Sequence, residues 1–226
     1  MVARVFDPGS GSPRVKIDSA AFPFVALAAV PAILAAWLLP GWIALALVAL
    51  PVAIALFFRD PRRSAPADAQ AVLSPADGQV MHAGPARPDE APPGTWQQVT
   101  IFLSLLDVHI NRTPVAGRVT RVEYRPGTFH AAFKAEAHRN EQSEIWLDHD
   151  GVIVVVRQVV GVLARRVVCR VAAGDRLEAG QRIGLMKFGS RMDVFVPPAA
   201  TILVTAGDRV RGGESIVARL PEERKG

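Results

Sequence analysis

Three short stretches of this 226-residue chain hold the side chains that covalent chemistry needs: LSPADG at 73–78, FLSLLDVHINRTP at 102–114 and KFGSRMDVFVP at 187–197. A serine hydroxyl is a weak nucleophile unless a base takes its proton. Ser190 supplies a hydroxyl, and His109 is the best candidate for the base. Asp77 is the carboxylate expected to orient the imidazole and stabilise its charge, the arrangement of a generalised triad. Each residue also has a plainer reading. A Gly-Ser pair alone is a turn, a histidine in a strand-like run is a satisfied polar group, and Asp-Gly is turn chemistry.

The remaining polar residues exclude other chemistries. His82, His130, His138 and His149 are not spaced as a metal set, and the single cysteine, Cys169, rules out a disulfide framework and a multi-cysteine zinc site. No metal is expected. Cys169 reads as a small buried residue. His130 and His138 lie in TFHAAFKAEAHRN at 128–140, a segment expected near a substrate entrance, with Lys134 and Arg139 read as solvated charges. No Gly-rich phosphate loop is evident, so pyridoxal phosphate is not expected. Residues 59–226 carry 23 Lys+Arg against 19 Asp+Glu, a diffuse excess that fits an anionic lipid surface and not a nucleic-acid site.

The elements that must position these residues divide sharply. Residues 22–58 contain no charged side chain, and Pro40-Gly41 splits them into 18- and 17-residue halves. A helix needs about 20 apolar residues to cross a bilayer, with a lower limit of about 17. A helical hairpin with its turn at Pro40-Gly41 follows, and Trp37 and Trp42 flank that turn as interface residues do. Arg14 and Lys16 precede the run, Arg59, Arg62 and Arg63 follow it, and the turn has no cation. The positive-inside rule then places both ends on the cytoplasmic face of the cell membrane. The alternative is a buried helical pair.

Residues 59–226 read as mainly β. Strands are expected at 97–103, 118–125, 151–160, 162–171 and 202–205, rich in Val, Ile and Thr, with a loop at 87–94. AGDRLEAGQRI at 173–183 returns as AGDRVRGGESI at 206–216, and Pro114 to Gly117 has a similar cadence. Two such units suggest related hairpins folded against each other in a compact barrel or sandwich. This unit resembles the barrel-sandwich hybrids of biotinyl and lipoyl carriers. Met186-Lys187 then raises a carrier or binding module using Lys187 as the alternative function, although Lys187 follows the Gly-Gln segment too closely for that motif.

The three stretches, in their order, resemble the phosphatidylserine decarboxylases in their short, proenzyme-type bacterial form, over most of the chain including the apolar hairpin. The resemblance implies a lyase that cleaves itself between Gly189 and Ser190 into chains 1–189 and 190–226, which stay together as a heterodimer. It implies that Ser190 becomes a covalent pyruvoyl group, which takes up the phospholipid amine as a Schiff base in place of pyridoxal phosphate. It supports catalytic roles for Asp77, His109 and Ser190. Gly189, lacking a Cβ, leaves its carbonyl open to attack. Longer members carry a second histidine where Arg112 stands and Leu-Gly-Ser-Thr where this chain has Phe-Gly-Ser-Arg. Expected units are an arm at 1–21, the hairpin at 22–58 and a catalytic β domain at 59–226. All three motifs lie in the last, so the hairpin is expected to act only as a tether.

Overall fold

The computed structural model describes residues 15–162, 167–187 and 189–222. Two antiparallel helices open it, α1 (Phe22–Leu38) and α2 (Gly41–Phe57), broken where Pro40 takes an extended ψ of 138°. Ala28, Ala32 and Ala35 are buried at helical spacing, a seam of small residues that lets the helices approach closely. The outward faces stay apolar and uncovered, with Trp37 and Trp42 both strongly exposed. Ser19–Leu38 is long and apolar enough to cross a membrane; Gly41–Phe57 is a shorter apolar helix.

The rest of the molecule is mainly β. Its largest sheet has eight strands in the order Arg176–Leu177, Gly117–Arg125, Gln142–His149, Val152–Val159, Ser190–Val196, Gln97–Leu103, Gly78–Pro85, Arg209–Val210, with every pair antiparallel. Val99, Ile101, Leu103, Val154, Val156, Met192, Val194 and Val196 point into one core at period two. Two three-stranded sheets close over that core. One is Val168–Cys169, Arg182–Leu185 and Ile110–Arg112; the other is Thr201–Ile202, Ile216–Arg219 and Ala71–Leu73.

The repeat governs how these sheets meet. Each copy sends its first strand to one edge of the eight-stranded sheet, Arg176–Leu177 onto Gly117–Arg118 and Arg209–Val210 onto Gly78–Gln79. Gly180 and Gly213, equivalent in the repeat, have φ of +74° and +75° and face each other. Their amides make matching bonds, Gly180 to the Thr113 carbonyl at 3.0 Å and Gly213 to the Ser74 carbonyl at 2.8 Å.

Two expected strands are shorter than their composition suggests. Of 162–171 only Val168–Cys169 is extended, and 163–166 lie outside the described residues. Of 202–205 only Ile202 belongs to a strand, because the Asp208 carboxylate accepts from the Thr205 amide at 2.8 Å and closes a turn there. The expected boundary at residue 58 runs through packed structure. Phe58 is 2% exposed and clusters with Ala21, Val108, Ile110 and Leu185, with Phe24, Ile54 and Phe57 packed around them.

Candidate active site

Ser190 begins the central strand Ser190–Val196, where it faces Leu103, and is fully buried. The two neighbours of that strand fix its backbone. Gly189 sits just outside it with φ of +72°, a left-handed conformation that favours glycine. The Ser190 hydroxyl donates to the Lys187 carbonyl at 3.3 Å.

His109 reaches the Gly189–Ser190 junction from the segment that precedes Ile110–Arg112. Its Nδ1 lies 2.9 Å from the backbone carbonyl of Asp107, so that nitrogen carries the proton. Nε2 is then the unprotonated nitrogen, and it accepts from the Gly189 amide at 3.4 Å. The ring is 1% exposed, and Phe57, the last residue of α2, stacks on it with centroids 4.2 Å apart. Burial lowers the imidazole pKa from 6.5 to about 4, against the opposing pull of Asp107. The result is a neutral base beside the Gly189-Ser190 bond at physiological pH.

Asp77 is not part of that contact. Its Oδ2 accepts from Arg63 at 2.7 Å and its Oδ1 from the Gly212 amide at 2.8 Å. Arg63 also reaches Glu214 at 2.9 Å. The expected orientation of His109 by Asp77 is therefore replaced by the Asp107 carbonyl. The reason is local: Asp107 closes a turn two residues before His109, which puts its carbonyl against Nδ1. Arg112 binds Asp60 at 2.7 Å and the Gly180 carbonyl at 3.0 Å. It ties the end of the hairpin to the repeat.

Several residues around the junction carried no signal in the sequence. Gly161 packs so closely on the Gly189 carbonyl that an added Cβ would stand 2.0 Å from its oxygen. Asn140 is buried and holds this wall, donating to the Val160 carbonyl at 2.8 Å and the His130 carbonyl at 2.7 Å. The segment at 128–140 is thereby tied beside the junction, with Lys134 and Arg139 exposed. The loop at 87–94 sends Glu90 into the interior, where it pairs with Arg191. Arg191 also binds Asp193 at 2.8 Å, and Asp193 accepts from Thr100 at 2.8 Å. Burial alone would raise the Asp193 pKa, but Arg191 holds it below the usual carboxylate range. An alternation of charged and apolar residues in KFGSRMDVFVP reads as a half-exposed strand, yet all seven residues from Ser190 to Val196 are buried.

Lys187 is half-buried, with its ammonium 4.8 Å above the Phe24 ring. A carrier lysine needs a free tip to swing its prosthetic group, and this one is packed against the helix pair. Among the described residues no group of three or more His, Cys, Asp or Glu side chains is placed to hold a metal ion. Cys169 is partly buried, its thiol 3.5 Å from the Val171 carbonyl.

Similar sequences occur among known proteins. A family model described as phosphatidylserine decarboxylase matches residues 52–218. A phosphatidylserine decarboxylase proenzyme of Pelodictyon phaeoclathratiforme is 44% identical over 164 residues, covering 72% of this chain and 77% of its own. The proenzyme of Trichlorobacter lovleyi is 39% identical over 212 residues, covering 93% and 94%. That of Symbiobacterium thermophilum is 44% identical over 204 residues, covering 89% and 94%.

Proposed function

The chain belongs to the phosphatidylserine decarboxylase family, and from that premise we propose that it is a self-processing decarboxylase converting phosphatidylserine to phosphatidylethanolamine and CO2. The observation that carries this reading is the neutral Nε2 of His109, 3.4 Å from the Gly189 amide and one residue from the Ser190 hydroxyl. In the processing step the hydroxyl turns from the Lys187 carbonyl toward the Gly189 carbonyl. His109 takes its proton as Oγ bonds the carbonyl carbon. The Gly189–Ser190 C–N bond breaks, its nitrogen gains a proton, and an ester joins the two chains. Removal of the Ser190 Cα proton then expels the Gly189 carboxylate and leaves a dehydroalanine. Water adds to its imine tautomer, ammonia departs, and a pyruvoyl group caps residue 190.

The surroundings fit such a group. Residue 190 is fully buried and paired at the end of a central strand, so a carbonyl cap there is fixed and dry. When formed, that carbonyl takes up the substrate amine and accepts the electron pair left as CO2 departs. His109 stays beside it to hold or return a proton. Asp77 serves as a positioning residue. With Arg63 it grips Gly212 and Glu214, and Glu90 grips Arg191, so the chains 1–189 and 190–226 remain joined after cleavage. The apolar hairpin anchors the enzyme in the cell membrane with the β domain on the cytoplasmic face, where Arg59 and Arg62 meet anionic headgroups.

Intact-mass analysis tests the proposal. The wild-type chain should give two fragments, the smaller lighter by one ammonia than a peptide beginning with serine. Ser190→Ala should give one uncut, inactive chain. If Ser190→Ala is still cut after residue 189, a protease does the cutting and self-processing is wrong.

A further inference from the structure

The turn Ser104–Asp107, which sets the Asp107 carbonyl against His109, has a tip that neither the fold nor the processing chemistry requires. The Asp107 carboxylate accepts from the Ser104 amide at 2.8 Å and the Ser104 hydroxyl at 2.7 Å, and the Asp107 amide returns a bond to the Ser104 carbonyl at 3.1 Å. The same carboxylate is clamped by Arg209 at 2.7 Å. A turn tied this firmly should carry solvated residues at its tip. It carries Leu105 and Leu106, 53% and 84% exposed.

Their position explains them. The Arg59 guanidinium donates to the Leu56 carbonyl at 3.0 Å and to the Leu106 carbonyl at 2.6 Å. One side chain thus bridges the end of α2 and the tip of the turn. Leu56 is itself 54% exposed, so the apolar surface of the hairpin continues across Arg59 onto the β domain. Arg59 and the largely exposed Arg209 border the two leucines with positive charge. An apolar tip flanked by two arginines, Arg59 and the Asp107-paired Arg209, at the foot of an apolar hairpin matches the layering of a bilayer interface, acyl chains beneath anionic phosphates.

We infer that the Ser104–Asp107 turn is a second membrane contact, which inserts Leu105 and Leu106 among phospholipid acyl chains beside the hairpin. It rests on the reading of the hairpin as a membrane anchor. The turn also leads directly to His109, through the Asp107 carbonyl. Seating the turn therefore brings the buried site to the level of the lipid headgroups, which is where a phospholipid amine must enter it.

The test uses the full chain in vesicles of phosphatidylglycerol and phosphatidylcholine. A Leu106→Cys variant in a Cys169→Ala background carries a polarity-sensitive dye at residue 106. The dye should shift to the blue on vesicle addition and be quenched by spin-labelled acyl chains. If the protein floats with the vesicles and the dye stays in water, this inference fails and the anchor reading stands. If the protein does not float, the anchor reading fails as well. A blue shift without vesicles that grows with protein concentration assigns the leucines to a second copy of the chain and overturns the inference. Leu105→Ser with Leu106→Ser should process normally yet lose about tenfold in activity on substrate in vesicles. Activity on a short-chain, dissolved phosphatidylserine should change less than twofold. Equal losses on both substrates, no loss on either, or failed processing would each overturn it.

Discussion

Asp77 and His109 are the two groups expected to face each other, and the fold gives them opposite surroundings. Asp77 sits among charges, between the Arg63 guanidinium and the Gly212 amide, at the seam between residues 59–189 and the last repeat. His109 sits among rings and aliphatic carbon, with Phe57 on its face and Val108, Ile110 and Leu185 close by. A carboxylate gripped by two donors is held in place, so it suits structural work. An imidazole in a dry pocket is held neutral, which a base requires. On the proposed mechanism, the comparison assigns the acid-base chemistry to the place where the helical hairpin meets the β domain, and the joining of the chains to the place where the two repeats meet.

The harshest way to break this contrast is to delete residues 22–58. If the His109 corner depends on the hairpin, the deletion should abolish processing and yield insoluble protein, because Phe24, Phe57 and Phe58 leave together. A soluble, fully cleaved product would show that the β domain builds its base without them. Next in size is His109→Ala, which should slow self-cleavage by about 10² to 10⁴ in a time course followed by intact mass, the usual loss for a general base. Processing within threefold of wild type would remove His109 from the step.

Phe57→Ala sharpens the comparison through pH. With the folded pKa near 4, wild-type cleavage should be flat above about pH 5.5 and fall as His109 gains its proton below that. Opening the ring to water should raise that pKa toward its ordinary 6.5, so cleavage at pH 5.5 drops severalfold while the rate at pH 8 holds. An unmoved acid limb would mean that Phe57 does not set the environment of the base. The same shift bears on stability. The unfolded chain binds a proton below pH 6.5 and the folded one only near 4, so His109 makes the fold less stable as pH falls through that window. Asp77→Asn should have the smallest effect on chemistry, less than tenfold on processing and no change in the acid limb. It should cost about 1–3 kcal/mol in thermal or denaturant unfolding, because Arg63 loses one of its two half-buried carboxylate partners. A shifted acid limb in Asp77→Asn would show that Asp77 reaches the base after all.

Some of this protein was decided by sequence alone. The hairpin is legible because 37 uncharged residues broken at Pro40-Gly41 have one economical conformation, and its helices end within a residue of the expected places. The repeat is legible because Gly-Asp turns and a left-handed glycine recur at fixed spacing, which local backbone chemistry dictates. The junction stands out because Gly189-Ser190 and His109 lie in stretches whose order resembles one family. Only the tertiary structure decided which groups meet. The partner of His109 is a backbone carbonyl, which no residue type can announce. Gly161 is required by an oxygen 28 residues away in sequence, and Glu90 is drawn from an ordinary Pro-rich loop by the buried Arg191. Phe57 belongs by composition to a membrane helix and by contact to the active site. Spacing along a chain encodes periodicity and turns, whereas burial, proton location and close approach are set by what the rest of the fold brings alongside.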